Sequence, residues 1–448
     1  MAITSELDMK KIGEEAFEHL RALVRIDTTN PPGGETAACE YIKKELAKEG
    51  MDSEILEKEP GRGNIVTRLN GDSSMKPLLL QGHVDVVAAE EDQWSHPPFA
   101  AEIVDGYLFG RGTIDMKNMV AMELEIMLIA KRLGWNLKRD LIFAAVADEE
   151  AGCEMGSKFL AENHPEKVTA EYALGEIGGF SIEQRGTRFW PIGVAEKGTA
   201  WIKITATGTP GHGSMPNPDN ALVKIARAAD RIGKASLPLH LTEVVETFVD
   251  SMAEAQSKPV GKILRQVTNP KLSNIVINHL IPDKGVAKSL YASLHNTANA
   301  TIINAGDKIN VIPGSASLYV DGRTLPGQTT DDFIGEIKKV IGKGYEIEVV
   351  NSMPPIVTDL TNPAYVAMKE AILRHDPEGV PIPYLVPGFT DAKFFSKTGA
   401  KCFGFSPIQL GPDEKFADLF HGHDERIPVE GFKTGLAILI DLVHDLAC

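Results

Sequence analysis

The sequence predicts an α/β protein in two parts: a discontinuous domain built on a mixed β-sheet flanked by helices, and a smaller α+β domain inserted into it. Three observations carry this. Short continuous apolar runs, Leu78-Leu-Leu and Leu141-Ile-Phe-Ala-Ala-Val, alternate with segments of helical period, as in a sheet covered on both faces. Past Trp190 the pattern changes to strand, helix, strand, helix, strand with insertions. From about Pro354 the α/β character returns.

Element by element, apolar residues keep helical spacing from Leu7 to Ile26, and Asp27-Thr-Thr-Asn-Pro-Pro-Gly-Gly then breaks the pattern with turn chemistry. A helix is expected at 36–48, stopped by Gly50. Strands follow at 53–57, 64–69 and 77–81, then a helix at 118–133 with Val120, Leu124, Met127 and Leu128 on one face, then a strand at 141–147. In the inserted part, strands are expected at 199–207, 316–320 and 345–350 and helices at 220–232 and 331–341. A long insertion at about 235–295 has a helical pattern at Leu241, Val244, Val245, Phe248, Val249 and Met252. The last helix carries Phe432, Leu436, Leu439, Ile440 and Val443. These expectations assign 1–191 and 353–448 to the first domain and 192–352 to the second.

At 448 residues the chain is long enough for two cores. Its formal charge of −16 argues against nucleic acid and anionic membrane surfaces as partners, and no overriding basic patch is expected. No span approaches the roughly 20 uninterrupted apolar residues of a transmembrane helix, and the first residues lack a signal-peptide core. Cys39, Cys153, Cys402 and Cys448 form no CxxC pair and are expected to be small buried hydrophobes, which fits a reduced, cytoplasmic setting.

The residues able to do chemistry fall where apolar runs end. His83 follows Leu78-Leu-Leu, at the carboxyl edge where open α/β sheets place their sites, and Asp85 is positioned to accept its second ring N–H. Asp115 closes the turn Gly110-Arg-Gly-Thr-Ile-Asp before a helix, either as an N-cap or as a metal-bridging carboxylate. Asp148-Glu-Glu follows an otherwise apolar strand, so one glutamate can bind metal while its neighbour faces a water as general base. Glu176 ends another strand after Tyr172-Ala-Leu-Gly. His421-Gly-His-Asp-Glu-Arg offers two loop imidazoles, and Thr209-Pro-Gly-His-Gly-Ser displays His212 in a tight turn. Arg323, in Asp321-Gly-Arg-Thr-Leu-Pro-Gly, is either a surface charge or a two-pronged clamp for an anion.

In chain order, Gly82-His-Val-Asp, Trp94…Pro98-Phe with Gly110-Arg-Gly-Thr-Ile-Asp-Met-Lys, Glu149-Glu150, Gly211-His-Gly-Ser and His421-Gly-His-Asp-Glu-Arg resemble the M20 family of metallopeptidases over nearly the whole chain. The resemblance implies two divalent metal ions, zinc with cobalt or manganese as alternatives, bridged by Asp115. His83 and Glu176 would hold one ion, Glu150 and His421 the other, and Glu149 would be the base. It further implies that the inserted domain is a lid through which two copies pair. His212 would stabilise the oxyanion, Arg323 and Asn310 would hold the substrate's carboxylate or backbone, and Gly388-Phe-Thr390-Asp-Ala would line the substrate. The phrase Gly306…Asn310-Val-Ile-Pro…Pro326-Gly-Gln-Thr is most similar to the carboxypeptidase S-like branch.

The expected activity is hydrolysis of an amide next to a free α-carboxylate, in a dipeptide or an N-acyl amino acid. Two alternatives stand beside it: a co-catalytic aminopeptidase that recognises a free amine, and a non-catalytic homologue that binds amino-acid derivatives.

Overall fold

The computed structural model describes residues 2–281 and 284–448. The chain divides into two compact units, Met1–Val194 with Thr358–Tyr384 and Thr390–Cys448, and Ala195–Val357 with Leu385–Phe389. The division after Val194 and Val357 lies three and five residues beyond the expected ones, and the first falls within strand Thr187–Glu196.

The first unit opens with helices α1 (Met9–Val24) and α2 (Thr36–Lys48). Strands β1 (Ser53–Glu57), β2 (Gly63–Leu69) and β3 (Leu78–His83) follow, then helix α3 (Lys117–Leu133) and strands β4 (Leu141–Val146), β5 (Tyr172–Gly175) and β6 (Thr187–Glu196). The sheet takes the order β1-β2-β4-β3-β5, then strand Lys401–Gly404, then β6. Its centre is parallel: β3 pairs with β4 and β5, and Lys401–Gly404 pairs with β5. Antiparallel β1, β2 and β6 flank that centre. All side chains of β3, β4 and β5 are buried. That explains their continuous apolar character, since both faces of a central parallel strand are covered.

Helix α3 differs from the one-faced amphipathic helix expected. Every residue from Lys117 to Ala130 is buried, because α1, the C-terminal helix Val429–Ala447 and strands β3 and β4 enclose it. The C-terminal helix lies close against the chain at 407–409: a Cβ on Gly435 would fall 1.7 Å from the Pro407 carbonyl oxygen, and one on Gly431 2.0 Å from that of Gln409. Cys39, Cys153 and Cys402 are buried and Cys448 is half-buried.

The second unit is an antiparallel sheet covered by helices. Its strands are β7 (Gly198–Thr207), β9 (Thr297–Ala305), β11 (Ser315–Thr324) and β12 (Glu346–Met353), in the order β9-β11-β7-β12. A two-stranded arm joins β8 (Gly211–His212) to β10 (Val311–Ile312). Ala200, Ile202, Ile204, Leu318 and Val320 pack on Ile225 and Ala228 of helix α4 (Ala221–Lys234) and on Phe333 and Ile337 of α5 (Thr330–Ile341). The insertion is helical, at Glu243–Glu254, Lys258–Leu264, Ser273–Ile275 and Lys284–Leu294. Strand β9 was not foreseen from the sequence. It is an edge strand whose residues from Asn299 to Asn304 are exposed, so Thr-Ala-Asn-Ala-Thr-Ile-Ile-Asn-Ala shows no buried alternation to read.

Among the described residues no helix is long and apolar enough to cross a membrane. Gly435→Ala tests the packing of the C-terminal helix. In an exposed helix that change adds up to ~1 kcal/mol of stability, whereas here the added methyl meets backbone and should cost roughly 1–3 kcal/mol. The expected result is a lower midpoint of thermal unfolding; a raised midpoint refutes the close approach.

Candidate metal centre

The central parallel strands end together. In register, His83 at the end of β3 lies opposite Val146 at the end of β4, and Leu80 lies opposite Leu174 of β5. Each strand therefore delivers its next polar residues to one edge, the edge where α/β sheets bind ligands. His83 comes from β3 and Glu176 from the residue after β5. Glu149 and Glu150 come from a short 3₁₀ turn after β4, redirected by Asp148 at φ 68°. Two loops complete the cluster. The turn 110–115 brings in Asp115, and His421 enters at φ 58°. Non-glycine residues are held at positive φ at some energetic cost, so both bends depend on support from their surroundings.

Asp115 stands between the two imidazoles. Its Oδ1 is 2.9 Å from His83 Nε2 and its Oδ2 is 3.1 Å from His421 Nε2. The Glu150 carboxylate lies 3.1 Å from His421 Nε2, and Glu176 Oε2 lies 3.7 Å from His83 Nε2. His83, Asp115 and Glu150 place donor atoms within 4.8 Å of one another, as do His83, Glu149 and Glu176. Asp115 is not an N-cap: α3 starts at Lys117, and its N-cap is Met116, whose side chain makes no capping bond.

Buried polar contacts hold these side chains. The Asp85 carboxylate accepts the backbone N–H groups of Glu149 (3.1 Å) and Glu150 (3.2 Å) and the side-chain N–H of Asn30 (2.9 Å). The imidazole tautomer is set differently from expectation. His83 Nδ1 is 2.9 Å from the backbone carbonyl of Asp85, whereas the Asp85 carboxylate lies 3.5 Å away and is occupied by the glutamate loop. Arg62 holds the other side of that loop, donating to both oxygens of Glu35 and to Asp148 at 2.8 Å each. Glu425, fully buried, accepts from Ile114 N (2.7 Å), Asp115 N (3.1 Å), Gly112 N (3.2 Å) and the Arg111 guanidinium (2.7 Å). Arg111 in turn lies over the Trp94 ring at 5.2 Å.

So much buried acid shifts protonation strongly. Burial, and then the neighbouring Glu176 carboxylate, holds Glu149 well above the usual carboxylate range. Burial likewise pushes Glu176 up to about 8 and Asp391 up to about 6. Asp115 moves the other way: burial would raise it, yet the imidazoles of His421 and His83 hold it below the usual range. Asp115, then Glu150, raise His421 to about 10. His83 is also raised, its burial being outweighed by Asp115, Asp85 and Glu176. A cluster of this kind is deficient in positive charge.

The profile of peptidase family M20/M25/M40 matches residues 79–445. The chain belongs to this family. It is therefore a hydrolase of amide bonds. Among its relatives, the probable carboxypeptidase S-like 2 of Dictyostelium discoideum is 30% identical, with 84% of this chain and 72% of that protein aligned. The human N-fatty-acyl-amino acid synthase/hydrolase PM20D1 is 27% identical over 85% of this chain and 76% of its own length. Pig aminoacylase-1 is 28% identical over 95% and 94%. The crystal structure of the M20 family metallo-carboxypeptidase Sso-CP2 from Sulfolobus solfataricus shares the fold at TM-score 0.66 and 16% identity, covering 96% of this chain and 98% of that one.

The other residues singled out in this M20 chain lie as follows. Thr390 is buried in the first unit, where its hydroxyl accepts from Ala392 N (3.2 Å). His212, Asn310, Arg323 and Gly388 belong to the second unit. His212 is exposed on the two-stranded arm, its Nδ1 2.8 Å from Ser214 Oγ, and the Asn310 carbonyl accepts from Gly213 N at 2.8 Å. Arg323 is not a free clamp: its Nε and one terminal nitrogen pair with Asp321 at 2.8 and 3.2 Å, leaving the other terminal nitrogen buried without a hydrogen-bond partner. Reading the sequence overlooked Asn30, Glu35, Arg62 and the role of Glu425. The Asn-Pro-Pro-Gly-Gly-Glu turn was legible only as a turn, since its partners Asp85 and Asp148 lie 55 and 118 residues from Asn30.

Glu425→Ala removes four hydrogen bonds and leaves Arg111 buried without its partner. A loss on the order of 3–5 kcal/mol is expected, together with release of the Asp115 turn. Calorimetry and metal content should fall together; an unchanged unfolding midpoint would contradict this role.

Proposed function

We propose that this chain hydrolyses the amide bond of N-acyl amino acids or dipeptides that carry a free α-carboxylate, using two divalent ions, with zinc as the native metal. The observation that supports it best is the Asp115 carboxylate set between two imidazoles at 2.9 and 3.1 Å, with Glu149 grouped with His83 and Glu176 within 4.8 Å. The donor set fits such ions. Imidazole with carboxylate oxygen suits zinc, and also cobalt or manganese. Glu176 Oε1 is buried without a hydrogen-bond partner. In this reading His83 and Glu176 would hold one ion, Glu150 and His421 the other, and Asp115 would be shared between them. Bound there, two ions would supply a lowered water pKa and polarisation of the scissile carbonyl.

The chain's own groups do the rest. Glu149, kept basic by burial and by Glu176, takes the attacking water's proton and returns it to the leaving nitrogen. Asp85 keeps Glu149 and Glu150 oriented through their backbone N–H groups. His212 is assigned as donor to the developing oxyanion, Arg323, through the terminal nitrogen that Asp321 leaves unpaired, and Asn310 as the grip on the α-carboxylate, and Gly388 and Thr390 as substrate-lining. Pairing of two copies through the second unit belongs to the same proposal. Its support is the exposed edge strand β9, with Ile302 54% and Ile303 51% exposed.

Glu149→Ala should keep its metal while turnover falls by about 10²–10⁴-fold; near-normal turnover at full metal content would sink the assignment. Chelation should abolish activity and added zinc, cobalt or manganese restore it. On matched substrates, blocking the amine should leave hydrolysis intact, whereas amidating the α-carboxylate should suppress it. The opposite pattern would establish the aminopeptidase reading instead.

A further inference from the structure

The chain's negative charge is not evenly spread. Between Glu254 and Asp307 the sequence holds six cations, Lys258, Lys262, Arg265, Lys271, Lys284 and Lys288, and a single acid, Asp283. This stretch therefore carries +5 in a chain of −16, and the remainder carries −21. It is the later part of the helical insertion together with β9. The earlier part, 235–254, holds Glu243, Glu246, Asp250 and Glu254 and no lysine or arginine, so the basic charge is confined to 258–288, where the overall charge had suggested no basic patch.

The same segment exposes apolar side chains: Ile263 at 46%, Leu272 at 38%, Ile275 at 53%, Leu280 at 54% and Val286 at 37%. In the helix Ser273–Ile275 and the wider turn Val276–Leu280 that continues it, Ser273, Val276 and Ile277 are buried while Leu272, Ile275, His279 and Leu280 face solvent. Single exposed apolar residues are ordinary, but each of these five has an exposed lysine within four residues. Lys258, Lys262 and Arg265 also line a cleft of about 240 Å³ with Glu254, Gln256 and Gln266. Arg265 is partly neutralised by Asp250 and Glu254, and the lysines of the insertion show no such pairing among the contacts described.

We infer that residues 258–281 and 284–288, in the later part of the insertion, form a docking surface for an anionic lipid bilayer. The lysine ammonium groups meet lipid phosphates while Leu272, Ile275 and Leu280 enter the headgroup and acyl boundary, in the manner of an interfacial helix. Charge complementarity favours this occupant and also orients the protein. The +5 segment is drawn to the surface and the −21 remainder, which includes Glu243, Glu246, Asp250 and Glu254 of the same insertion, is repelled, so the face carrying the lysines leads. The attachment is monotopic. It concerns surface binding and does not depend on the catalytic assignment above.

The test is flotation of the purified full-length protein with vesicles of phosphatidylcholine alone or with about one-third phosphatidylglycerol. Co-flotation with the anionic vesicles only, reversed on raising salt from about 0.1 to about 0.5 M, is expected. Ile275→Asp with Leu280→Asp, and separately Lys271→Glu with Lys284→Glu, should each lower partitioning roughly tenfold or more. Leu133→Asp, an exposed apolar position of α3 in the other unit, should leave it unchanged. Size-exclusion mass and thermal unfolding are recorded alongside. If the aspartate pair unfolds, the charge-reversal pair, at exposed lysines, decides. The inference is overturned by absence of flotation, by equal binding to both vesicle types, or by variants that float like the parent. It is equally overturned if the variants alter the mass while the parent binds no vesicles, which would make the surface a contact between copies of this chain.

Discussion

Buried negative charge at the carboxyl ends of three parallel strands is the constraint on which this structure depends. Asp85, Asp115, Asp148, Glu149, Glu150 and Glu176 crowd one sheet edge, and carboxylates there cannot remain ionised without partners. Compensation comes in three forms. Two imidazoles flank Asp115. Arg62 and Arg111 neutralise the acids behind the cluster, Glu35, Asp148 and Glu425. Backbone N–H groups of the glutamate loop and of the Asp115 turn satisfy Asp85 and Glu425. Charge left over is what two divalent ions would balance.

This arrangement separates the acids by task. Those that accept backbone N–H groups are fixed in place and hold their loops. Burial raises Glu425 despite its backbone partners; it also raises Glu149 and Glu176, which accept few such bonds and remain free to exchange protons or to ligate. The strained bends at Asp148 and His421 fit the same scheme, since each aims the chain into the cluster and each is tied down nearby. Asp148 is bonded to Arg62, Asn30 and Met155 N, and Asp424, three residues after His421, is bonded to Ser95.

The second unit follows ordinary sheet-and-helix packing, yet its two exposed features differ in chemistry. Edge strand β9 offers unpaired backbone and isoleucine side chains, whereas the helical insertion offers lysines among apolar residues. The first suits a like strand; the second suits an anionic surface.

Much of the site was legible because its residues end apolar runs. His83, Glu149, Glu150 and Glu176 are marked by the strands before them, and a strand's direction dictates which edge its last residue reaches. Asp115 was legible as a turn residue, but whether it capped a helix or faced two imidazoles depended on groups 32 and 306 residues away, at His83 and His421. The roles of Asn30, Arg62 and Glu425 have no local signal, since each acts through partners brought close only by the sheet. For Arg323, residue type and setting allowed a clamp, and it took the tertiary structure to reveal Asp321 already in its grip. The sequence by itself determined the family, the α/β class and the acids and imidazoles at the strand ends, because local pattern specifies strand, turn and side-chain chemistry. Only the tertiary structure decided which carboxylates are held by backbone, which are raised by burial and which guanidinium groups are occupied, because those properties belong to distances between segments remote in the chain.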